Sequence, residues 1–178
     1  SDGGLTSNTL YRYRIIATNA AGADGDQSSS AGKYTRPNVP GTPFFTDVME
    51  NSLSVNWTAP DGGSYTYQVW RCKDSGCSPN GLVDNDEVNL FFDNSGLVAN
   101  TLYRYNVRAK SSLSGLFSAD SNIGEQMTAA PANTAPTASI TSGLPSAIVI
   151  GRTYTLIGTG TDPEGQALTY HWDITLGG

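Results

Sequence analysis

Few side chains in this sequence have the types and spacing that enzyme chemistry needs. His171 is the only histidine, so a relay from a serine or cysteine through histidine to aspartate has a single candidate base. His171 lies beside Trp172 in a stretch with strand-like alternation, and we interpret it as a polar strand residue that faces outward. The sequence contains no glycine-rich phosphate loop. It therefore predicts a protein that is not an enzyme.

Two groups of carboxylates are clustered as in a glycosidase or a calcium site. Asp84, Asp86 and Glu87 stand in a stretch rich in Asn and Gly, and Asp162 and Glu164 belong to a predicted turn. Neither group implies a pocket, so we interpret both as solvated loops, with weak calcium binding as the alternative. Calcium is the one cofactor that the sequence leaves open.

The two cysteines lie close together in the chain. Four residues, including Gly76, separate Cys72 from Cys77. This spacing can close a small disulfide loop, because glycine eases the turn; two free thiols are the alternative. A zinc site needs about four ligands, and the only histidine is distant in sequence. A local disulfide would place the protein outside the cytosol, so we predict an extracellular, secreted or cell-surface location.

Trp70 is the residue most suggestive of a binding surface. The alternation of its predicted strand puts Trp70 and Gln68 on the outward face, with Arg104 and Arg108 outward on a neighbouring strand. A tryptophan flanked by arginines can bind a sugar ring or a partner protein. The alternative is an intramolecular stack of tryptophan and arginine that covers the sheet.

The composition limits both the fold and the partners. The chain has 20 Gly and 9 Pro among 178 residues and only 15% charged residues, which is typical of short strands joined by turns rather than of long helices. The net charge of −6 disfavours nucleic acid and anionic membranes as partners. No apolar run approaches the ~18 residues that insert into a bilayer. We predict an all-β chain.

A repeat reveals how the chain is organised. Residues 4–13 and 96–105 match at eight of ten positions, at an offset of 92 residues. A period of this length is domain-sized and indicates tandem domains rather than a solenoid. The first copy begins close to Ser1, so residues 1–37 are expected to be the last strands of a domain whose earlier strands precede this chain.

The second copy alternates with a period of two residues, as a half-buried antiparallel strand does. Further strands are predicted at residues 52–57, 65–70 and 88–92, with Pro, Gly and Asn at the turns between them. These strands predict a two-sheet sandwich. The residues expected in its core are Trp57, Tyr67, Val69, Tyr103, Tyr105 and Val107.

Residues 40–130 resemble a fibronectin type III domain. Pro43 opens the first strand, Trp57 lies on the second, and residues 96–109 resemble the family's tyrosine-corner segment. The resemblance implies that the Tyr103 hydroxyl hydrogen-bonds to backbone near Leu97. The family usually has Pro-Gly at positions 99–100, where this chain has Ala-Asn, and the segment between the cysteines is not a family feature.

A different module follows. Residues 131–136 are interpreted as a linker, because they are small residues and prolines. Predicted strands at 153–158 and 168–173 flank a turn at 162–165, and this pattern resembles the first half of PKD-type or cadherin-like immunoglobulin-fold modules. The predicted organisation is therefore 1–37, the C-terminal strands of one fibronectin type III-like domain; 38–130, a complete one; 131–136, a linker; and 137–178, the N-terminal strands of a PKD-type or cadherin-like domain.

Three functions are compatible with this organisation. The first is a non-catalytic structural or adhesive segment of a large extracellular or cell-surface protein, such as part of a surface fibre. The second is a set of accessory modules of a secreted polysaccharide-degrading enzyme. The third is a receptor-like module that binds carbohydrate or protein through Trp70. The expected partners are neighbouring β-sandwich domains of the same or adjacent subunits, and a host protein or polysaccharide. A sandwich fold supports all three functions.

Neither end of the chain is expected to fold alone, because each would expose unpaired sheet edges. Either the parent protein is longer, or the incomplete ends accept strands from neighbouring subunits in a filament. In a filament, two groups of apolar residues would pack against a neighbouring chain: Tyr11, Tyr13 and Ile15, and Leu156, Ile157 and Trp172. Asn56 also opens a glycosylation sequon of the Asn-x-Thr type.

Overall fold

The protein, seen in a computed structural model that describes residues 3–141 and 147–172, divides into two compact units. The first unit is Ser1–Pro131 and the second is Ala132–Gly178. Every regular element in the described ranges is a β-strand. These ranges contain no helix with the length and apolar character needed to cross a membrane. The predicted all-β class is therefore confirmed.

Eleven short strands lie within the described residues. In chain order they are β1 (Leu10–Tyr13), β2 (Ala31–Tyr34), β3 (Phe44–Thr46), β4 (Ser52–Asn56), β5 (Tyr65–Lys73), β6 (Gly81–Glu87), β7 (Phe91–Ser95), β8 (Leu102–Ser111), β9 (Gly124–Met127), β10 (Thr137–Ile140) and β11 (Gly158–Thr161).

Strands β3 to β9 form a sandwich of two antiparallel sheets. One sheet has the order β3–β4–β7, and the other has the order β6–β5–β8–β9. Their inner faces enclose an apolar core of eleven buried residues, which includes all six predicted at the sequence level. Tyr105, Val69 and Val107 are completely buried. Burying each large side chain contributes roughly 1.5–3 kcal/mol to the free energy of unfolding. This gain explains why apolar residues stand at every second position of the strands, where the side chains face the core.

One predicted strand has the wrong bounds. Residues 88–92 were expected to form a strand, but β6 ends at Glu87 and β7 begins at Phe91. The Glu87 carboxylate accepts hydrogen bonds from the backbone N–H of Asn89 at 2.7 Å and from its side-chain amide at 2.8 Å. This local capping turns the chain between the two sheets and leaves Val88 72% exposed.

The acidic stretch at Asp84 and Asp86 also differs from expectation. Both residues belong to strand β6 rather than to a loop, and Asp84 lies opposite Val69 of β5. The pairing of β5 with β6 is irregular at two points, which is typical of a bulged edge strand. A polar edge strand lacks the apolar alternation on which strand prediction depends.

Tyr103 closes the corner before β8. Its hydroxyl accepts a hydrogen bond from the backbone N–H of Val98 at 3.0 Å, which confirms the predicted tyrosine corner. Tyr11 repeats the arrangement 92 residues earlier, where its hydroxyl accepts from the N–H of Thr6 at 2.7 Å. The sequence repeat is thus also a repeat of hydrogen bonding.

An asparagine stands at the same place in each corner. Asn8 has φ of 50° and Asn100 has φ of 48°, in the left-handed region where asparagine is among the best-tolerated residues. This conformation explains how Asn100 can stand where the family that residues 40–130 resemble usually has glycine.

Residues 1–37 contain the hairpin of β1 and β2. Tyr11 pairs with Lys33 in this hairpin, as Tyr103 pairs with Gln126 between β8 and β9. Ile15 is 76% exposed, whereas Val107 at the equivalent position is fully buried. Within the described residues, the hairpin therefore resembles β8 and β9 in its pairing but not in its burial. That residues 1–37 are the C-terminal strands of a second fibronectin type III-like domain stays a prediction.

The second unit pairs different residues from those predicted. Strands β10 and β11 are antiparallel, and Thr137 lies opposite Thr161. Residues 153–157 precede β11, and residues 168–172 form no strand; Asp173, the last residue of that prediction, lies outside the described residues. Ring atoms of Trp172 come within 3.2 Å of the position that a Cβ on Gly158 would take, so the aromatic ring packs over the glycine of β11.

The predicted turn at residues 162–165 is present. The backbone N–H of Gly165 donates to the carbonyl oxygen of Asp162 at 3.0 Å, and φ of Gly165 is +74°, a conformation that suits glycine. The resemblance of this unit to PKD-type or cadherin-like modules stays a prediction.

We expect Tyr103→Phe to lower the free energy of unfolding of the sandwich by about 1 kcal/mol, since the N–H of Val98 loses its partner. Tyr11→Phe removes the same bond from the exposed copy and is the matched control. Urea unfolding followed by tryptophan fluorescence measures both. Equal effects of the two substitutions would contradict a specific role of the second corner in the sandwich.

Tyr105 should make the sandwich sensitive to alkali. Burial raises the pKa of Tyr105 to about 12, against the opposing effects of Arg71 and Asn94. The unfolded chain ionises this tyrosine near pH 10, so the unfolded state releases the proton first as pH rises. The contribution of Tyr105 to the free energy of unfolding should be constant below pH 10 and fall between pH 10 and pH 12. Denaturant titrations of wild type and Tyr105→Phe across this range measure it; an identical alkaline loss in both proteins would contradict the assignment.

Candidate functional surfaces

The outward face of the four-stranded sheet carries the predicted ligand residues. The pairing of β5 with β8 places Gln68 opposite Arg108, Trp70 opposite Asn106, and Cys72 opposite Arg104. Because alternate side chains point to one face of a sheet, these residues share the face that turns away from the core.

Arg108 is the centre of the cluster on this face. Its guanidinium carbon lies 5.2 Å from the Trp70 ring centroid and 4.5 Å from that of Phe117. Its Nε donates a hydrogen bond to the side-chain oxygen of Gln68 at 2.6 Å. The structure therefore brings Trp70, Gln68 and Arg108 together as an intramolecular stack, the second of the two predicted alternatives. Ligand binding at Trp70 stays a prediction.

Arg104 has different partners. Its Nε lies 3.2 Å from the Glu125 carboxylate, and its Nη1 donates to the carbonyl oxygen of Cys77. Cys77 is bonded to Cys72, which confirms the predicted disulfide. The arginine thus ties the disulfide loop to β9 and does not join the cluster around Trp70.

Asn106 lies on the outward face, as the alternation of its strand predicts, but its burial was not expected from the sequence. It is buried, as is Gln68, although both lie on the outward side. The indole Nε1 of Trp70 and the Oδ1 of Asn106 are buried without a hydrogen-bond partner among the described residues. Gln68 and Asn106 lie on the two central strands of the sheet, which have neighbours on each side, and alternation alone cannot predict this burial.

The acidic residues that the sequence singled out as candidate calcium ligands make ion pairs and hydrogen bonds within the protein. Asp86 forms an ion pair with Lys110 at 3.6 Å. Burial raises the pKa of Asp84. Asp162 accepts hydrogen bonds from the backbone N–H groups of Glu164 at 3.0 Å and Gln166 at 2.9 Å. Across residues 3–141 and 147–172, no three His, Cys, Asp or Glu side chains gather as a metal site.

His171, the single candidate base, lies in an irregular stretch rather than in the predicted strand. It is exposed and lines a shallow groove of about 260 Å³ with Tyr170 and Trp172. Neither a nucleophile with a base nor an acid pair is assembled around it among the described residues of this groove.

A junction between the β1–β2 segment and the sandwich was also missed. The Asn8 amide nitrogen donates to the Tyr65 hydroxyl at 3.4 Å, and the Ser111 hydroxyl donates to the Asn8 amide oxygen at 2.5 Å. Gly63 leaves room for this contact, because a Cβ there would lie 2.9 Å from both the Asn8 amide nitrogen and the Tyr65 oxygen. The residues come from three distant segments, so no local pattern indicates the junction.

The outer face of the three-stranded sheet forms an open groove of about 530 Å³. Its floor carries short polar side chains, including Ser54, Asn56 and Asp93, and Phe91 stands at one side. Asn56, the sequon residue, donates through its amide to the Thr46 hydroxyl at 3.1 Å. Alternation along residues 52–57 predicts that Ser54 and Asn56 face outward, but it does not predict the groove.

An immunoglobulin-like β-sandwich of three plus four strands, with a tyrosine corner, defines the class of the central module. Residues 38–123 match the fibronectin type III domain family. A two-domain fibronectin type III segment from chicken tenascin has the same fold, with a TM-score of 0.52, 24% identity, and coverage of 70% of this chain and 68% of that one. Family and structure together support a fibronectin type III domain at the centre of this chain.

Two relatives come from Cellulomonas fimi. Endoglucanase B is 29% identical over 97% of this chain and 18% of its own length, and Exoglucanase B is 29% identical over 94% of this chain and 16% of its own length. Protein sidekick-2 of Mus musculus is 28% identical over 74% of this chain. The chain spans less than a fifth of either glucanase. Fibronectin type III domains are generally non-catalytic modules.

The stack of Trp70 on Arg108 should contribute measurably to stability. In a double-mutant cycle of Trp70→Ala and Arg108→Ala, we expect a coupling free energy of about 0.5–1 kcal/mol, since the pair is partly exposed. Urea unfolding of the four proteins provides the values. A cycle of Trp70→Ala with Glu125→Ala, which lies away from the stack, is the control. Zero coupling between Trp70 and Arg108 would contradict the stack.

Proposed function

We propose that this chain is a non-catalytic structural segment that holds other domains at fixed spacing in an extracellular multidomain protein. The observation that carries this proposal is the junction at Asn8. A spacer must transmit orientation from one module to the next, and Asn8 ties the corner of the β1–β2 segment to two strands of the sandwich.

The connection beside the junction is also stiff. Pro37 and Pro40 are buried where the chain enters the sandwich, and proline fixes the backbone angle φ. Two proline restraints and a two-sided amide contact leave the connection few ways to bend. A flexible tether would have exposed glycines and serines at this place.

An extracellular location is supported by the Cys72–Cys77 bond, because disulfides persist in oxidising compartments. The same segment would serve equally in an adhesive fibre, where the exposed face of the β1–β2 hairpin would be covered by strands from another part of the assembly.

A second candidate is an accessory segment of a polysaccharide-degrading enzyme. The two glucanase relatives favour it, because their similarity extends over almost the whole chain rather than over the central module alone. In that case the catalytic domain lies elsewhere in the parent protein, and the spacing role is the same.

The spacer role can be tested by distance measurements between spin labels at Asp26→Cys and Asp120→Cys, both exposed. Labelling without reductant keeps the Cys72–Cys77 bond closed. We expect one narrow distance distribution, which Asn8→Gly broadens, because glycine keeps the left-handed backbone but removes the amide.

Asn100→Gly is the matched control, since it makes the same change at the equivalent corner of the sandwich. It should leave the distribution narrow. A broad distribution in the parent chain, or no broadening by Asn8→Gly, would refute the spacer role.

A further inference from the structure

The outer face of the β3–β4–β7 sheet is arranged in rows that cross the strands. One row is Phe44, Asn56 and Phe91, and the next row is Thr46, Ser54 and Asp93. Their chain neighbours Phe45 and Phe92 pack against the core, so the rows point outward. The two phenylalanines are 51% and 46% exposed.

The two aromatic rings flank a polar floor. Phe44 and Phe91 belong to the outer strands of the sheet, whose backbones lie two interstrand spacings, or roughly 10 Å, apart. Phe91 lines the groove, and Phe44 lies in the same row on the other side of Asn56. Asn56 lies between them. Two exposed aromatic rings, one on each side of an amide, can each stack on one sugar ring of the same glycan chain.

The floor is already organised by hydrogen bonds. The Ser54 hydroxyl donates to one Asp93 carboxylate oxygen at 2.5 Å, and the Asn56 amide donates to the Thr46 hydroxyl at 3.1 Å. These bonds fix the polar side chains before a ligand arrives, which lowers the entropy cost of binding. Each carboxylate and hydroxyl still has further lone pairs to offer.

The charge of the groove selects the ligand. Its lining contains Asp47 and Asp93 and no lysine or arginine. Phosphate and nucleic acid are therefore disfavoured. A neutral polyhydroxylated ligand fits, because its hydroxyl groups can donate to carboxylate and serine oxygens. A protein partner would require a larger continuous apolar patch than two separated phenylalanines provide.

We propose that this face binds a neutral glucan chain. Phe44 and Phe91 stack on the apolar faces of two sugar rings, and Asn56 and Asp93 hydrogen-bond to the hydroxyl groups between them. The site lies on the sheet opposite Trp70. It goes beyond the spacer role and does not depend on it, and the two glucanase relatives make glucan the first ligand to test.

The test is an NMR titration of the isotope-labelled 178-residue chain, produced without glycosylation, with cellohexaose as the probe. Amide shifts should concentrate in β3, β4 and β7. The double variant Phe44→Ala/Phe91→Ala should bind at least about tenfold more weakly, and Asp93→Asn should also weaken binding. Leu113→Ala, which truncates a 65% exposed apolar residue in the loop after β8, is the matched control and should leave the affinity unchanged.

Because all these side chains are exposed, the variants should keep the wild-type spectrum outside the groove, which verifies folding. No shifts with cellohexaose, shifts centred on Trp70, or concentration-dependent self-association through the same face would each overturn the proposal. The spin-label experiment reads the Asn8 junction alone, so failure of the glucan site and failure of the spacer role are separately visible.

Discussion

Nine residues of β5 pair with nine residues of β8, from Tyr65 opposite Ser111 to Lys73 opposite Tyr103. Side chains alternate between faces along each strand, so this one register decides both the core and the outer surface. Val69 and Val107 meet inside the sandwich, while Gln68 and Arg108 meet outside it. A slip of one residue would exchange the two sets. Strand order, the cluster around Arg108 and the position of the disulfide loop all follow from this pairing.

The sequence predicted what depends on alternation and on the repeat. The six core residues, the tyrosine corner at Tyr103 and the Cys72–Cys77 bond are local patterns that require no knowledge of partners. The polar edge strand around Asp84 was missed, because an edge strand needs no apolar face. The stretch at 168–172 was predicted as a strand from its alternation, but Trp172 packs over Gly158 instead. The junction at Asn8 depends on three segments that only the fold brings together.

The two outer faces of the sandwich differ in the length of their side chains. On the four-stranded sheet, Arg108 stacks on Trp70 and hydrogen-bonds to Gln68, so the face supplies its own contacts. On the three-stranded sheet, serine, threonine and asparagine are too short to cover the strands, and the two phenylalanines stand apart. The first face is consequently closed by intramolecular contacts, whereas the second presents an open groove. The sequence pointed to the face with the larger aromatic residue and left ligand binding and an intramolecular stack open, because alternation shows which way a ring faces but not what it contacts.

Asn8 contacts both Tyr65 and Ser111, and these two residues form the first pair of the β5–β8 ladder. At the opposite end of the ladder, Arg104 links the disulfide loop to β9. The β5–β8 ladder is therefore held by side-chain contacts at both of its ends: by the amide of Asn8 at one end, and by Arg104 with the disulfide loop at the other.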